Sequence, residues 1–233
     1  MTAAITTIAF DADDTLWQNE TFFRLTEARF AQLLADHAER DHLIERLQEA
    51  ERRNLGHYGF GIKGFVLSMI ETALDVTEDR VPASVIREIV AAGQEMLRHP
   101  IELLPEARAA LEALAGGHRI LLVTKGDLID QERKLAQSGL GEMFDAVEIV
   151  SDKQPETYAR IFGQHGEGPN RSAMVGNSLR SDVLPAIAAG AHGVFVPHDL
   201  TWAYEQAEAP ADSPRFHRIE TLAELPALIE KIT

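Results

Sequence analysis

The sequence predicts an α/β fold: a Rossmann-like, doubly wound parallel sheet with an inserted all-helical subdomain. Two patterns predict it. Short runs rich in Ile and Val alternate with amphipathic helical stretches, and one long segment after the first run has helical periodicity throughout. The first strand is expected at Ile5–Phe10 and runs straight into the acidic stretch Asp11–Asp14. From about Gln18 to His99 the alternation stops. "FFRLTEARFAQLL", "DHLIERLQEAERR" and "PASVIREIVAAGQEML" carry apolar residues at three- and four-residue spacing, so about eighty residues read as helix. Boundaries are therefore expected at 1–16 and 100–233 for the sheet-bearing core and 17–99 for the helical insert. Pro105–Ala115 opens with proline at a permitted first-turn position and stops before Gly116-Gly117. Further strands are expected at Arg119–Thr124, Ala146–Val150, Ala173–Val175 and Gly193–Val196. Helices are expected at Leu128–Gln137, Pro155–Phe162, Val183–Ala189 and Thr221–Lys231.

At 233 residues the chain suffices for one large domain or a domain with an insert. Its 22 Lys+Arg against 37 Asp+Glu give a net charge of −15. That field repels nucleic acid and anionic membrane surfaces, so neither is expected as a partner. A bound cation and a few local lysines can still make one pocket attractive to phosphate. The absence of cysteine excludes disulfides, thiolate metal sites and cysteine nucleophiles. No apolar stretch approaches the roughly 20 residues of a membrane span. "MTAAITTIAFDADD" lacks the basic segment of a secretory signal, so a cytoplasmic protein is expected. The nine histidines show no metal-ligand spacing, and nothing in the pattern speaks to oligomeric state.

Ligands of doubly wound sheets bind beyond the carboxyl ends of the strands. Those ends deliver Asp11, Asp13 and Asp14, then Thr124, Lys125 and Gly126, then Asp152 and Lys153, then Asn177 and Asp182. Three aspartates within four positions raise one another's cost of ionisation, which a cation among them relieves. A hard cation such as Mg2+ takes oxygen ligands and keeps waters. The carboxylates of Asp11 and Asp182 and a backbone carbonyl near Asp13 are the expected donors. Asp11 is placed to attack phosphorus and form an aspartyl-phosphate. Asp13 is placed to protonate the leaving oxygen and then to deprotonate the hydrolytic water. Thr124 with nearby backbone N–H groups is expected to hold the non-transferring oxygens, and Lys153 to neutralise developing charge. Lys125 and Gly126 are the further expected phosphate contacts, and Asp14 is expected to shape the turn.

Asp11-Ala12-Asp13-Asp14-Thr15, Thr124, Lys153 and Asp182 stand in the order of four motifs, and in this the sequence resembles the haloacid dehalogenase superfamily. The resemblance runs from Ile5 to Val196, with the helical insert where that family's helical cap lies. It implies a Rossmann-like core, Mg2+, an aspartyl-phosphate intermediate and, most often, phosphatase activity on a small phosphorylated metabolite. It also implies a cap that selects the substrate. Only about 28 residues separate Thr124 from Lys153, too few for the family's other cap position. Three positions depart from the family pattern. Gly176-Asn177 stands before Asp182 where a second acidic residue is usual, Lys125-Gly126 where Asn-Gly is frequent, and "SDKQPETY" where lysine usually sits beside proline.

Two alternatives share the fold. A haloacid dehalogenase-type hydrolase uses the same nucleophile but has no need of Asp13 as an acid or of a metal. A catalytically weak phospholigand-binding protein is the reading that Asn177 motivates. A phospho-accepting receiver domain is about half this length and has no helical insert. Within the insert, "NLGHYGFGIKGF" reads as a connection between helices, or as a loop that offers His57, Tyr58 or Lys63 to a substrate.

Overall fold

The computed structural model describes residues 4–232, and the chain divides into two compact units. The first is drawn from 1–20, 101–125 and 131–233. Its strands are β1 (Thr7–Phe10), β2 (Arg119–Lys125), β3 (Ala146–Val150), β4 (Ser172–Gly176), β5 (His192–Phe195) and β6 (Phe216–Arg218). They form one sheet in the order β3-β2-β1-β4-β5-β6, and every pair is parallel. Side chains alternate across a strand, so each strand contributes to two cores. Ile8, Phe10, Ile120, Leu122 and Val175 pack with α5 (Ala107–Leu114) and α9 (Leu225–Ile232). Ala9, Leu121, Val123 and Met174 pack with Tyr158 and Phe162 of α7 (Pro155–His165) and Ala186 of α8 (Leu184–Ala188). The doubly wound parallel sheet expected from the alternation is therefore present.

The chain leaves β1 for β2 and β3 on one side and returns to β4 on the other. The strand order thus reverses beside β1, where such sheets bind their ligands. Strand β6 was not expected. At three residues on the sheet edge it is too short to show period-two alternation.

The second unit comprises Thr21–Pro100 and Gly126–Asp130. Its helices are α1 (Glu20–Leu33), α2 (Arg40–Tyr58), α3 (Ile62–Val76) and α4 (Ala83–Arg98). They close on Phe30, Leu34, Leu43, Leu47, Phe65, Met69 and Ile89. The sequence reading took Asn54–Phe65 for a connection between helices or a loop facing a substrate. Only its middle is a connection: α2 runs to Tyr58, Gly59 and Gly61, at φ 73° and 111°, turn the chain, and α3 begins at Ile62. In this unit Tyr58 donates to Glu71 Oε1 at 2.9 Å, and Lys63 pairs with Asp127 at 2.9 Å. No helix among the described residues is long and apolar enough to cross a membrane.

Candidate active site

Sheet register sets the rim. Phe10 lies opposite Leu122 and Val175, so the residues after β1 run level with the ends of β2 and β4. Asp11 extends that ladder, its N–H donating to Val175 O at 2.9 Å. Thr124 sits buried at the end of β2, where it pairs with Ile149 of β3. Lys153 lies between β3 and α7, and its loop is held by Asp152, whose Oδ1 accepts from Lys153 N–H at 2.9 Å.

Lys153 reaches into the first motif. Its Nζ donates to Asp11 Oδ1 at 2.5 Å and to Asp182 Oδ1 at 2.7 Å, and all three side chains are at least 90% buried. Burial pushes the Asp11 carboxyl up to about 7; the Asp182 and Asp13 charges add to this, and Lys153 opposes it. Burial works against the charge on Lys153, but the two carboxylates outweigh it and hold the ammonium above its ordinary range. The other Asp11 oxygen accepts from Thr15 Oγ1 at 3.1 Å. Thr15 also accepts from the Asn177 N–H at 3.1 Å, so the first and fourth motifs share one hydroxyl.

Asp182 rides on a turn of π-helix, Leu179–Val183. Its Oδ2 accepts from Ser178 N–H at 3.0 Å. The carboxylate lies over Gly176, where a Cβ would meet Asp182 Oδ2 at 2.2 Å, so only glycine fits beneath it.

Asp13 occupies a different environment. Its Oδ1 accepts from Trp17 Nε1 at 2.7 Å, its Oδ2 from Gln131 Nε2 at 2.9 Å, and Lys134 Nζ bridges both oxygens at 2.9 and 3.0 Å. Burial raises the cost of its charge, but Lys134, Gln131 and Trp17 together hold the carboxyl below its ordinary value. Asp14 has φ 59° and turns inward as a cap, accepting from the N–H groups of Asn19 at 2.8 Å and Glu20 at 3.0 Å. Lys125 is largely buried, with its side chain 13% exposed. It donates to Glu205 Oε1 at 2.5 Å and Ser181 Oγ at 2.7 Å. Gly126 falls in the second unit.

The geometry thus brings together Asp11, Lys153, Asp182 and, through Thr15, Asn177. Asp13 is held by helix α6 (Leu128–Ser138) and Lys125 by Glu205. Sequence reading named Thr15 only as part of the first motif, and it missed Gln131, Lys134, Ser178, Ser181 and Glu205 as polar members of the rim. Three lysines are distributed over four carboxylates: Lys134 on Asp13, Lys125 on Glu205, and Lys153 shared by Asp11 and Asp182.

No group of three or more Asp, Glu or His side chains able to hold a metal occurs among the described residues. A cation here would have the Asp11 and Asp182 carboxylates plus the neutral oxygens of Asn177 and the Asp13 backbone. That all-oxygen set, with two carboxylates, suits Mg2+, which commonly takes one or two carboxylates and keeps its remaining positions for water and substrate phosphate.

The description "haloacid dehalogenase-like hydrolase" belongs to the family profile that matches residues 5–190. The chain belongs to that family. A haloacid dehalogenase-like family hydrolase from Xanthomonas campestris is 41% identical in sequence, with a TM-score of 0.86 over 98% of this chain and 92% of that one. Among curated relatives, the N-acylneuraminate-9-phosphatase of Mus musculus is 29% identical over 143 residues, 58% of this chain and 55% of that protein. The phosphoserine phosphatase of Thermus thermophilus is 33% identical over 127 residues, 52% of this chain and 48% of that protein. The chain thus spans about half the length of the curated relatives it matches. The haloacid dehalogenase-like fold of this hydrolase accounts for both the strand order and the placement of Asp11 at the rim.

Proposed function

We propose that this hydrolase is a Mg2+-dependent phosphatase that acts on a small phosphorylated metabolite through an aspartyl-phosphate on Asp11. The observation that carries the reading is the buried Asp11–Lys153–Asp182 cluster, in which one ammonium serves two carboxylates. The phosphatase names of the curated relatives support the same reaction class. Asp13 and Asp182 have no use in halide displacement, which also favours phosphate esters.

Asp11 attacks phosphorus, and the bond to the leaving oxygen breaks as Asp13 gives that oxygen a proton. Water then attacks phosphorus, Asp13 takes its proton, and inorganic phosphate leaves with the Asp11 carboxylate restored. Asp13 is ionised as held by Lys134, the form required for the second half-reaction. A phosphate dianion arriving beside it opposes Lys134 and favours uptake of the proton needed for the first. Lys153 holds Asp11 in line and offsets charge on the transferring oxygens, and Thr124 binds one of them. Asp11 and Asp182 would hold Mg2+, which would supply further neutralisation of phosphate charge. In this reading the helical second unit is the family's cap and selects the substrate, and Lys125 acts through Glu205 to shape the rim.

Steady hydrolysis of p-nitrophenyl phosphate and acetyl phosphate with Mg2+, lost with EDTA and in Asp11→Asn, is the expected result. A purified protein that releases no phosphate from these esters, or from a panel of sugar phosphates and phospho-acids, overturns the reading in favour of binding alone.

A further inference from the structure

Helix α6 turns a polar face to the interior and spends it on one carboxylate. Gln131 and Lys134 lie i and i+3 on that helix, 4% and 5% exposed, and both donate to Asp13. Lys134 also donates to Asn19 Oδ1 at 2.8 Å, which ties Asp13 to the far end of its own loop. Burying an ammonium costs several kcal/mol before any partner is counted. The Gln131 carboxamide carries a second cost, because its buried Oε1 has no hydrogen-bond partner. A helix that merely covered the sheet would carry apolar side chains at both positions.

We propose that Lys134, seconded by Gln131, is a positioning residue that fixes the plane and reach of the Asp13 carboxylate for proton transfer to the leaving group. The inference rests on the phosphatase reading above. An ammonium that bridges both oxygens, with Trp17 on Oδ1 and Gln131 on Oδ2, locks rotation of the carboxylate. A proton donor misplaced by about 1 Å costs about a hundredfold in rate. That loss falls only on leaving groups that need the proton. An alkoxide needs it, and p-nitrophenolate does not.

The test is kcat/KM, which reports the phosphoryl-transfer step, across phosphate esters of graded leaving-group basicity with Mg2+. In Lys134→Met, kcat/KM is expected to fall about a hundredfold for glycerol phosphate and phenyl phosphate but less than about threefold for p-nitrophenyl phosphate. Lys134→Arg restores most of the loss. Asp13→Asn alone shows the same steep dependence, and adding Lys134→Met to it changes little, because the group being positioned is already gone. Should Lys134→Met fail to fold, Gln131→Leu, which keeps the ammonium, is expected to steepen the dependence in the same direction. Equal loss for every ester, or no loss for any, overturns the positioning role while leaving the phosphatase reading intact. A wild type that hydrolyses none of these esters overturns both.

Discussion

Replacing Asp11, the proposed nucleophile, is expected to make the metal-free protein more stable. Burial lifts the Asp11 carboxyl from 3.8 to about 7 even with Lys153 beside it. The folded state therefore holds this proton more tightly than the unfolded state does. As pH rises from 3.8 the unfolded chain ionises first, so stability is lost progressively until pH passes about 7. At about 1.36 kcal/mol per unit, a shift of about three units makes ionised Asp11 cost the fold about 4 kcal/mol at pH 8 and less than half of that at pH 5. Asparagine has the shape of the protonated acid and carries no such cost. With about 2–4 °C per kcal/mol for a chain of this size, Asp11→Asn in EDTA is expected to melt about 8–16 °C above wild type at pH 8. The gap shrinks to less than half at pH 5. Circular dichroism melts of the two proteins at both pH values provide the assay. Adding Mg2+ narrows the gap, because the cation stabilises the ionised wild-type site by mass action. A variant that melts with or below wild type at pH 8 in EDTA refutes the electrostatic reasoning for the site.

Three further outcomes follow from other parts of the core. Gly176→Ala places a Cβ within 2.2 Å of Asp182 Oδ2. It is expected to cost about 1–3 kcal/mol and most of the Mg2+-dependent activity; a melt and turnover both unchanged would show that the turn yields freely. Glu205→Ala removes the carboxylate that accepts from Lys125, Ser178 and Ser181. Breaking this largely buried pair is expected to cost about 3 kcal/mol in urea unfolding, and a change under about 0.5 kcal/mol contradicts it. His192 and His217 hydrogen-bond at 2.9 Å across β5 and β6. Burial first, then the neighbouring histidine and Arg215, hold His192 down at about 4, and His217 is also lowered, by burial first and then by Lys231. The unfolded chain takes these protons first, so Tm is expected to fall as pH drops from 6.5 towards 4, with the fall flattened in His192→Gln; an equally steep fall in the variant excludes the pair as its source.

The doubly wound sheet was legible because β1, β2 and β4 are buried on both faces and read as unbroken apolar runs. Placing the strand ends in order was enough to gather Asp11, Lys153 and Asp182. The supports of Asp13 and Lys125 were hidden. In α6 the buried residues are Asp130, Gln131, Lys134 and Ser138, while Leu128 and Ile129 are 56% and 70% exposed. Hydrophobic periodicity misreads such a helix, since only Leu135 joins the core while its most buried side chains are polar and two of them hold a carboxylate. Glu205 comes from a loop some eighty positions beyond Lys125, and no local pattern announces a pairing at that separation. Trp17 is fully buried, and its indole N–H also serves Asp13, a role no local pattern announces. Helix α3 escaped because four glycines between Asn54 and Phe65 argue for a loop, whereas two of them serve the turn before the helix.

The central claim is that Asp11 itself takes the phosphoryl group. Rapid acid quench during turnover of a hydrolysed ester, followed by peptide mass spectrometry, tests this directly. The account predicts one hydroxylamine-labile phosphoryl group on Asp11, absent in Asp11→Asn and accumulating when Asp13→Asn slows hydrolysis of the intermediate. Release of inorganic phosphate with no phosphoryl group ever found on Asp11, under quench conditions that preserve acyl phosphates, would contradict it.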